Sequence, residues 1–220
     1  MHATTLVFRD LVYLLVGLLF TACTPKGENR MSQIPPDSSR TARTIAVIET
    51  SLGTIEAQLY PDDAPNTVAN FVGLAEQKYY DGVKFHRVSK GFVIQGGDPT
   101  GTGAGGKTLT GKTLEDELNP TAPSYQAGYL KGVLAMANKG RPGTGTSQFF
   151  IMLEDNVRLP KAYTIFGRVI KGMNVVDAIG NVDIIPNPQM GPRDGEPKTP
   201  VIMKTVRIRR DSAEPAEAGH

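Results

Sequence analysis

Apolar and polar residues alternate over residues 44–50 and 54–60, with Ile45, Val47, Ile55, Ala57 and Leu59 on inward positions. Alternation of period two, interrupted by Ser51, Leu52 and Gly53, predicts a β-hairpin. The period then changes. Val68, Phe71, Val72 and Ala75 stand at i, i+3, i+4 and i+7, one face of a helix. Asp62, Asp63, Ala64 and Pro65 supply its start, because proline suits a first turn and acids suit the helix dipole. Short strands are predicted at 83–88, 92–95, 132–137, 149–153 and 164–169, with a brief helix at 174–179. A last alternating stretch at 201–208 can close the sheet beside the first strand. Six of the eleven residues from 96 to 106 are glycine, which marks a long mobile loop. Residues 119–129 and 185–200 read as Pro- and Gly-containing loops. Many short strands with two helices predict a mainly β barrel or sandwich.

One run concentrates the chemistry: FHRVSKGFVIQGGD, residues 85–98. Its halves read as adjacent strands joined by Ser89, Lys90 and Gly91. Phe85, Arg87, Phe92 and Gln95 bring a fixed cation, aromatic rings and an amide together, which indicates a cleft for an amide-like ligand. Taken alone, Arg87 reads more often as a surface or salt-bridged residue, and Phe92 and Phe150 most simply as core. GVLAMAN (132–138) and GTSQFFI (145–151) form a partner block, and FGRVIKGMNVVD (166–177) follows. These four motifs, in this order over about residues 43–210, resemble the cyclophilin family of peptidyl-prolyl cis-trans isomerases.

The resemblance implies an eight-stranded antiparallel closed β-barrel capped by two α-helices. It implies rotation about X-Pro bonds of unfolded or flexible polypeptides, which needs no base, nucleophile, metal or cofactor. Arg87 becomes the donor to the proline nitrogen. Phe92, Val93, Phe150 and Leu159 match a hydrophobic proline pocket, and Gln95 matches the amide that orients the arginine and a substrate carbonyl. Asn138 holds peptide backbone, while Gly103, Ala137, Lys139 and Gln148 line the groove. His86 matches a family histidine near the site; it also reads as a structural residue, and Gln148 as a partner for buried backbone. Tyr163 stands where many members carry histidine and still supplies a ring wall. Arg158 stands where many eukaryotic members carry tryptophan, which weakens the case for tight cyclosporin binding. Lys139 replaces a smaller residue and favours acidic peptides. Val93 replaces a methionine.

Composition narrows the alternatives. The chain is 40% hydrophobic and 21% charged, ordinary for a globular domain. With 24 basic against 22 acidic residues its net charge of +2 is too weak to indicate nucleic acid. The single cysteine, Cys23, excludes an internal disulfide, and His86 is the one histidine away from the chain ends, so a His/Cys metal site lacks ligands. A Ser-His-Asp hydrolase lacks a G-x-S-x-G elbow.

Residues 11–20 are an apolar run, too short for a bilayer span of about 20 residues and suited to a secretory signal. Leu19 to Cys23 resembles a bacterial lipobox, with Phe20 in place of the usual leucine. The expectation is residues 1–22 as a lipoprotein-type signal peptide, Cys23 lipidated on a bacterial membrane, and 23–43 as a flexible tether. Residues 44–210 form a monomeric isomerase domain and 211–220 a disordered tail. An incidental thiol, or a cytoplasmic start at Met31, are the other readings.

Two rival functions remain. One is a non-catalytic peptide-binding chaperone or scaffold using the same groove. The other rests on Gly101 to Thr108, which satisfies G-x-x-x-x-G-K-T, the phosphate-binding P-loop pattern. That chemistry requires a buried strand before the loop and a helix after it. Leu109 to Thr113 is a poor helix start, and Pro120 cuts the segment short.

Overall fold

A computed structural model describes residues 43–212. β1 (Arg43–Thr50) and β2 (Gly53–Leu59) form the expected hairpin. Its turn is tied by Thr50, whose hydroxyl donates to Gly53 O and accepts from Leu52 N. After α1 (Pro65–Glu76) come the short hairpin β3 (Arg87–Ser89) and β4 (Val93–Gly96), then α2 (Pro123–Ala127). β5 (Val133–Met136), β6 (Phe149–Met152) and β7 (Ile165–Lys171) precede α3 (Met173–Gly180). A second hairpin, β8 (Ile184–Asn187) and β9 (Gly191–Pro197), leads to β10 (Met203–Asp211). The strand order is β10-β1-β2-β7-β5-β6-β4-β3-β9-β8. Every pairing is antiparallel.

The mainly β, antiparallel class is the expected one, with four adjustments. A third, five-residue helix, α2, lies within residues 119–129, expected as loop. The sheet has ten strands rather than eight, because residues 185–200, expected as loop, hold most of the β8–β9 hairpin. Its end strands do not pair with each other, so the ladder is not continuous around a closed barrel. The residues before β3 and β10 do meet, through a bridge between Lys84 and Ile202 flanked by hydrogen bonds from Phe85 N to Val201 O and from Met203 N to Val83 O. Ala46 and Ile48 are the β1 residues in the main core; Ile45 is buried as expected but outside that core, and Val47 is only partly buried. Ile48 faces Ile55, Ala46 faces Ala57, and all four are fully buried. Residues 45–48 are apolar on both faces, so alternation alone does not set the parity; pairing with β2 does.

Two buried clusters result. The main core gathers Ile48, Ile55, Phe71, Tyr80, Phe149 and Phe166 under α1 and α3. On the other face of β4–β6, a smaller cluster forms from Val93, Val133, Ala135, Phe150, Met152 and Ile165. Strands buried on both faces lose alternation, which is why β5 and β6 are VLAM and FFIM.

α1 has Pro65 in its first turn as expected, but no acid there. Its unpaired N–H groups meet a carboxylate from far along the chain: Glu117 accepts from Asn66 N (2.9 Å) and Thr67 N (2.8 Å). Asp63, expected to serve α1, instead accepts from Ser124 N at the start of α2 (2.9 Å). Replacing Glu117 with alanine removes this cap. Urea denaturation is expected to read a loss of about 1 kcal/mol.

Candidate active site

Strand register assembles the site. Arg87 on β3 faces Gln95 on β4, Gln95 faces Phe150 on β6, Phe150 faces Ala135 on β5, and Ala135 faces Ile165 on β7. Residues directly opposite share a face, so these five form one row across the sheet, on the side away from the main core. Val88 and Ile94, of opposite parity, belong to that core.

The Arg87 guanidinium is held at three points. Nε donates to Asp194 Oδ1 (2.9 Å), Nη2 to Asp194 Oδ2 (2.7 Å) and Nη1 to Gln95 Oε1 (3.0 Å). Asp194 lies on β9 opposite Ser89, two residues from Arg87 on the same face, so the pair forms diagonally. Gln95 Nε2 donates to Gln148 Oε1 (3.0 Å), and Gln148 Nε2 to Gly103 O (3.0 Å) and Gly105 O (2.8 Å). Those glycines sit in a loop wound around Asp98. Its buried carboxylate accepts from the N–H groups of Thr100 (2.8 Å), Thr102 (3.2 Å), Gly103 (2.8 Å) and Gly105 (3.1 Å). One hydrogen-bonded chain therefore runs from Asp194 to Asp98.

Two adjoining hollows flank this chain. The first, about 90 Å³, has Phe92, Val93, Phe150, Leu159 and Tyr163 as apolar walls, with Arg87 and Gln95 at its polar side. Phe150 and Tyr163 meet edge to face at 5.4 Å. The second, about 100 Å³, is bordered by Gly103, Lys139 and Gln148, with Gly105, Thr144 and Thr146 added to the expected set. Gln95, Ala137 and Asn138 belong to both, so the two form one groove. Asn138 donates to Ala162 O (2.9 Å) and accepts from Gly140 N (3.0 Å). Twelve of the thirteen expected groove residues thus come together. His86 does not line it. It is buried behind Gly103, and neither ring nitrogen has a hydrogen-bond partner among the described residues. A larger hollow of about 390 Å³, bordered by Arg43, Tyr60 and Pro123, shares no residue with the groove.

The P-loop pattern has the wrong electrostatics and the wrong neighbours. Asp98 takes the loop N–H groups that a phosphate would need, and the Lys107 ammonium lies 5.1 Å from the centre of the Tyr79 ring. No helix follows Thr108 before α2.

The family description "Cyclophilin type peptidyl-prolyl cis-trans isomerase/CLD" matches residues 45–208. Human "Peptidyl-prolyl cis-trans isomerase-like 1" is 48% identical over 153 residues, 70% of this chain and 88% of that protein. Its Neurospora crassa counterpart is 44% identical over 175 residues, 80% of this chain and 99% of that protein. The crystal structure of a Cryptosporidium parvum cyclophilin type isomerase, obtained in the presence of the dipeptide Ala-Pro, superposes with a TM-score of 0.67. It is 33% identical and covers 75% of this chain and 98% of that one. The chain belongs to the cyclophilin-type peptidyl-prolyl cis-trans isomerases. It is an enzyme that accelerates rotation about X-Pro peptide bonds, and neither the NTPase nor the non-catalytic reading finds support.

The relatives correct one expectation. They are eukaryotic proteins, from human, cattle and fungi among others, whereas a lipobox belongs to bacterial export; placement on a bacterial membrane is overturned. Residues 11–20, Cys23 and Met31 lie outside the described residues, as do 213–220. Among the described residues no helix is long and apolar enough to cross a membrane.

Asp194 was missed from sequence. It lies among Pro and Gly residues that hide the β8–β9 hairpin, and several acids compete for the role. The available signal was physical: a half-buried arginine requires a counter-charge.

Burial pushes the Asp194 carboxyl up, but hydrogen bonds from Arg87 and Ser89 outweigh it and leave its pKa below the ordinary 3.8. Asp98 behaves alike, with burial opposed by Thr100, Gly105 and Gly103. Burial lowers His86 below 6.5; the Asp98 charge opposes this, while Lys84 and Arg87 reinforce it. All three groups bind protons more weakly when folded, so each contributes stability that is lost on acidification. The melting temperature is expected to fall as pH drops below 6.5, through His86, and again below 3.8, through the carboxylates. Thermal melts across this range check it, and His86→Gln should remove the upper phase.

Proposed function

We propose that Arg87 is the catalytic group and that the first hollow takes the proline ring. The X-Pro amide resists rotation by about 18–20 kcal/mol because its nitrogen lone pair is conjugated. Halfway through the twist that conjugation is gone, and the nitrogen becomes pyramidal and basic. An N–H aimed at it stabilises the transition state more than either planar ground state. Of the five guanidinium N–H groups, three bonds to Asp194 and Gln95 use one each on Nε, Nη2 and Nη1. One on each terminal nitrogen is left to meet the substrate.

A 10⁴-fold acceleration needs about 5 kcal/mol. One hydrogen bond to a charged group supplies about 1.5–3 kcal/mol. The remainder falls to the clamp: Phe92, Val93, Phe150 and Leu159 grip the ring while Gln95 and Asn138 hold the peptide on its amino side. The observation that carries this reading is a three-point-anchored guanidinium beside an apolar hollow. The isomerase unit spans residues 44–210 and acts as a monomer on flexible or unfolded proline-containing chains. Lys139, exposed at the rim of the second hollow, favours acidic residues preceding proline.

A protease-coupled prolyl-peptide assay tests the assignment. Arg87→Ala is expected to lose about 100-fold in kcat/KM, with the melting temperature measured alongside. Wild-type rates in that variant would reject it.

A further inference from the structure

We infer that Asp194 is a positioning residue for catalysis, which makes the β8–β9 hairpin part of the working site rather than an appendage to the sheet. The inference rests on the catalytic role proposed for Arg87. A guanidinium is planar but its side chain has four rotatable bonds, so one hydrogen bond to Gln95 leaves the plane free to swing. The Asp194 carboxylate grips the Nε–Nη2 edge with both oxygens, a two-point contact that fixes the plane. The N–H groups left over then have one direction.

Asp194 is itself built in. It is 6% exposed, pairs with Ser89 across β3–β9, and is held there by the close approach of β9 to β8. A Cβ on the next residue, Gly195, would stand 2.0 Å from Ile185 O, so only glycine allows that approach. The other acid of β9, Glu196, is occupied by Lys84, which leaves Arg87 to Asp194. A carboxamide at this position keeps the shape, halves the acceptors and turns an N–H toward the cation.

The test is Asp194→Asn, Asp194→Glu, Arg87→Ala and the double variant Arg87→Ala/Asp194→Asn, assayed on one prolyl peptide. Asp194→Asn is expected to lower kcat about 10- to 100-fold, the equivalent of one hydrogen bond to a charged group, with KM changed less than about twofold. The double variant should be no slower than Arg87→Ala alone, because a residue that acts only through Arg87 has nothing left to position. Asp194→Glu should recover part of the loss. Unchanged kcat in Asp194→Asn, or losses that multiply in the double variant, would overturn the inference. Wild-type rates in Arg87→Ala would instead remove the catalytic reading beneath it. Should Asp194→Asn not fold, NMR of the wild-type Arg87 Nε–H decides: a resolved, slowly exchanging signal is expected, and a freely rotating guanidinium sinks the idea.

Discussion

A cation cannot sit half out of water without a partner, and the way Arg87 is partnered sets the rest of the site. Its side chain is 25% exposed and that of Asp194 only 8%. Removing either member strands the other in a poorly solvated place. The pair uses up the Nε–Nη2 edge of the guanidinium, and Gln95 takes one N–H of Nη1. Gln95 passes the constraint on to Gln148, and Gln148 to the glycine loop, which ends on a second carboxylate. Two anions thus terminate one polar line, and the apolar hollow lies along it.

That line is possible because it runs across strands rather than along one. Arg87, Gln95 and Phe150 are separated by 8 and 55 positions in the chain, yet register makes them neighbours. Side-chain alternation puts the apolar members of the same strands, Val88, Ile94 and Ile151, into the main core. Burial of one face therefore fixes the orientation of the other. Phe150 and Val93 serve twice, as members of the smaller cluster and as walls of the groove.

Much of this was legible from sequence where a pattern was local. The β1–β2 hairpin, α1, α3 and the β3–β4 turn all announce themselves by period and by breaker residues. The parity of β1 did not, because residues 45–48 are apolar throughout and the deciding contacts lie on β2. The β8–β9 hairpin was hidden by Pro186, Pro192, Gly191 and Gly195, residues that ordinarily argue against strands. Glu117 at α1 and Asp194 at Arg87 act over 50 and 107 positions, and no window along the chain connects them. The groove residues emerged from a motif resemblance, not from periodicity. The glycine loop carries a warning: its spacing matches an anion-binding pattern, but Asp98 already supplies the anion.

The hairpin at the end of the sheet has a consequence for anyone transplanting this chemistry. The segment that holds the recognisable motif, residues 85–98, carries the arginine, the glutamine and one aromatic wall of the groove, Phe92. It does not carry the opposing charge, which enters from a strand folded about a hundred residues later. Grafted alone onto another scaffold, that segment would import a loose guanidinium free to pair with whatever acid lay nearest. The smallest portable unit has to include both hairpins and the backbone contact that lets them touch.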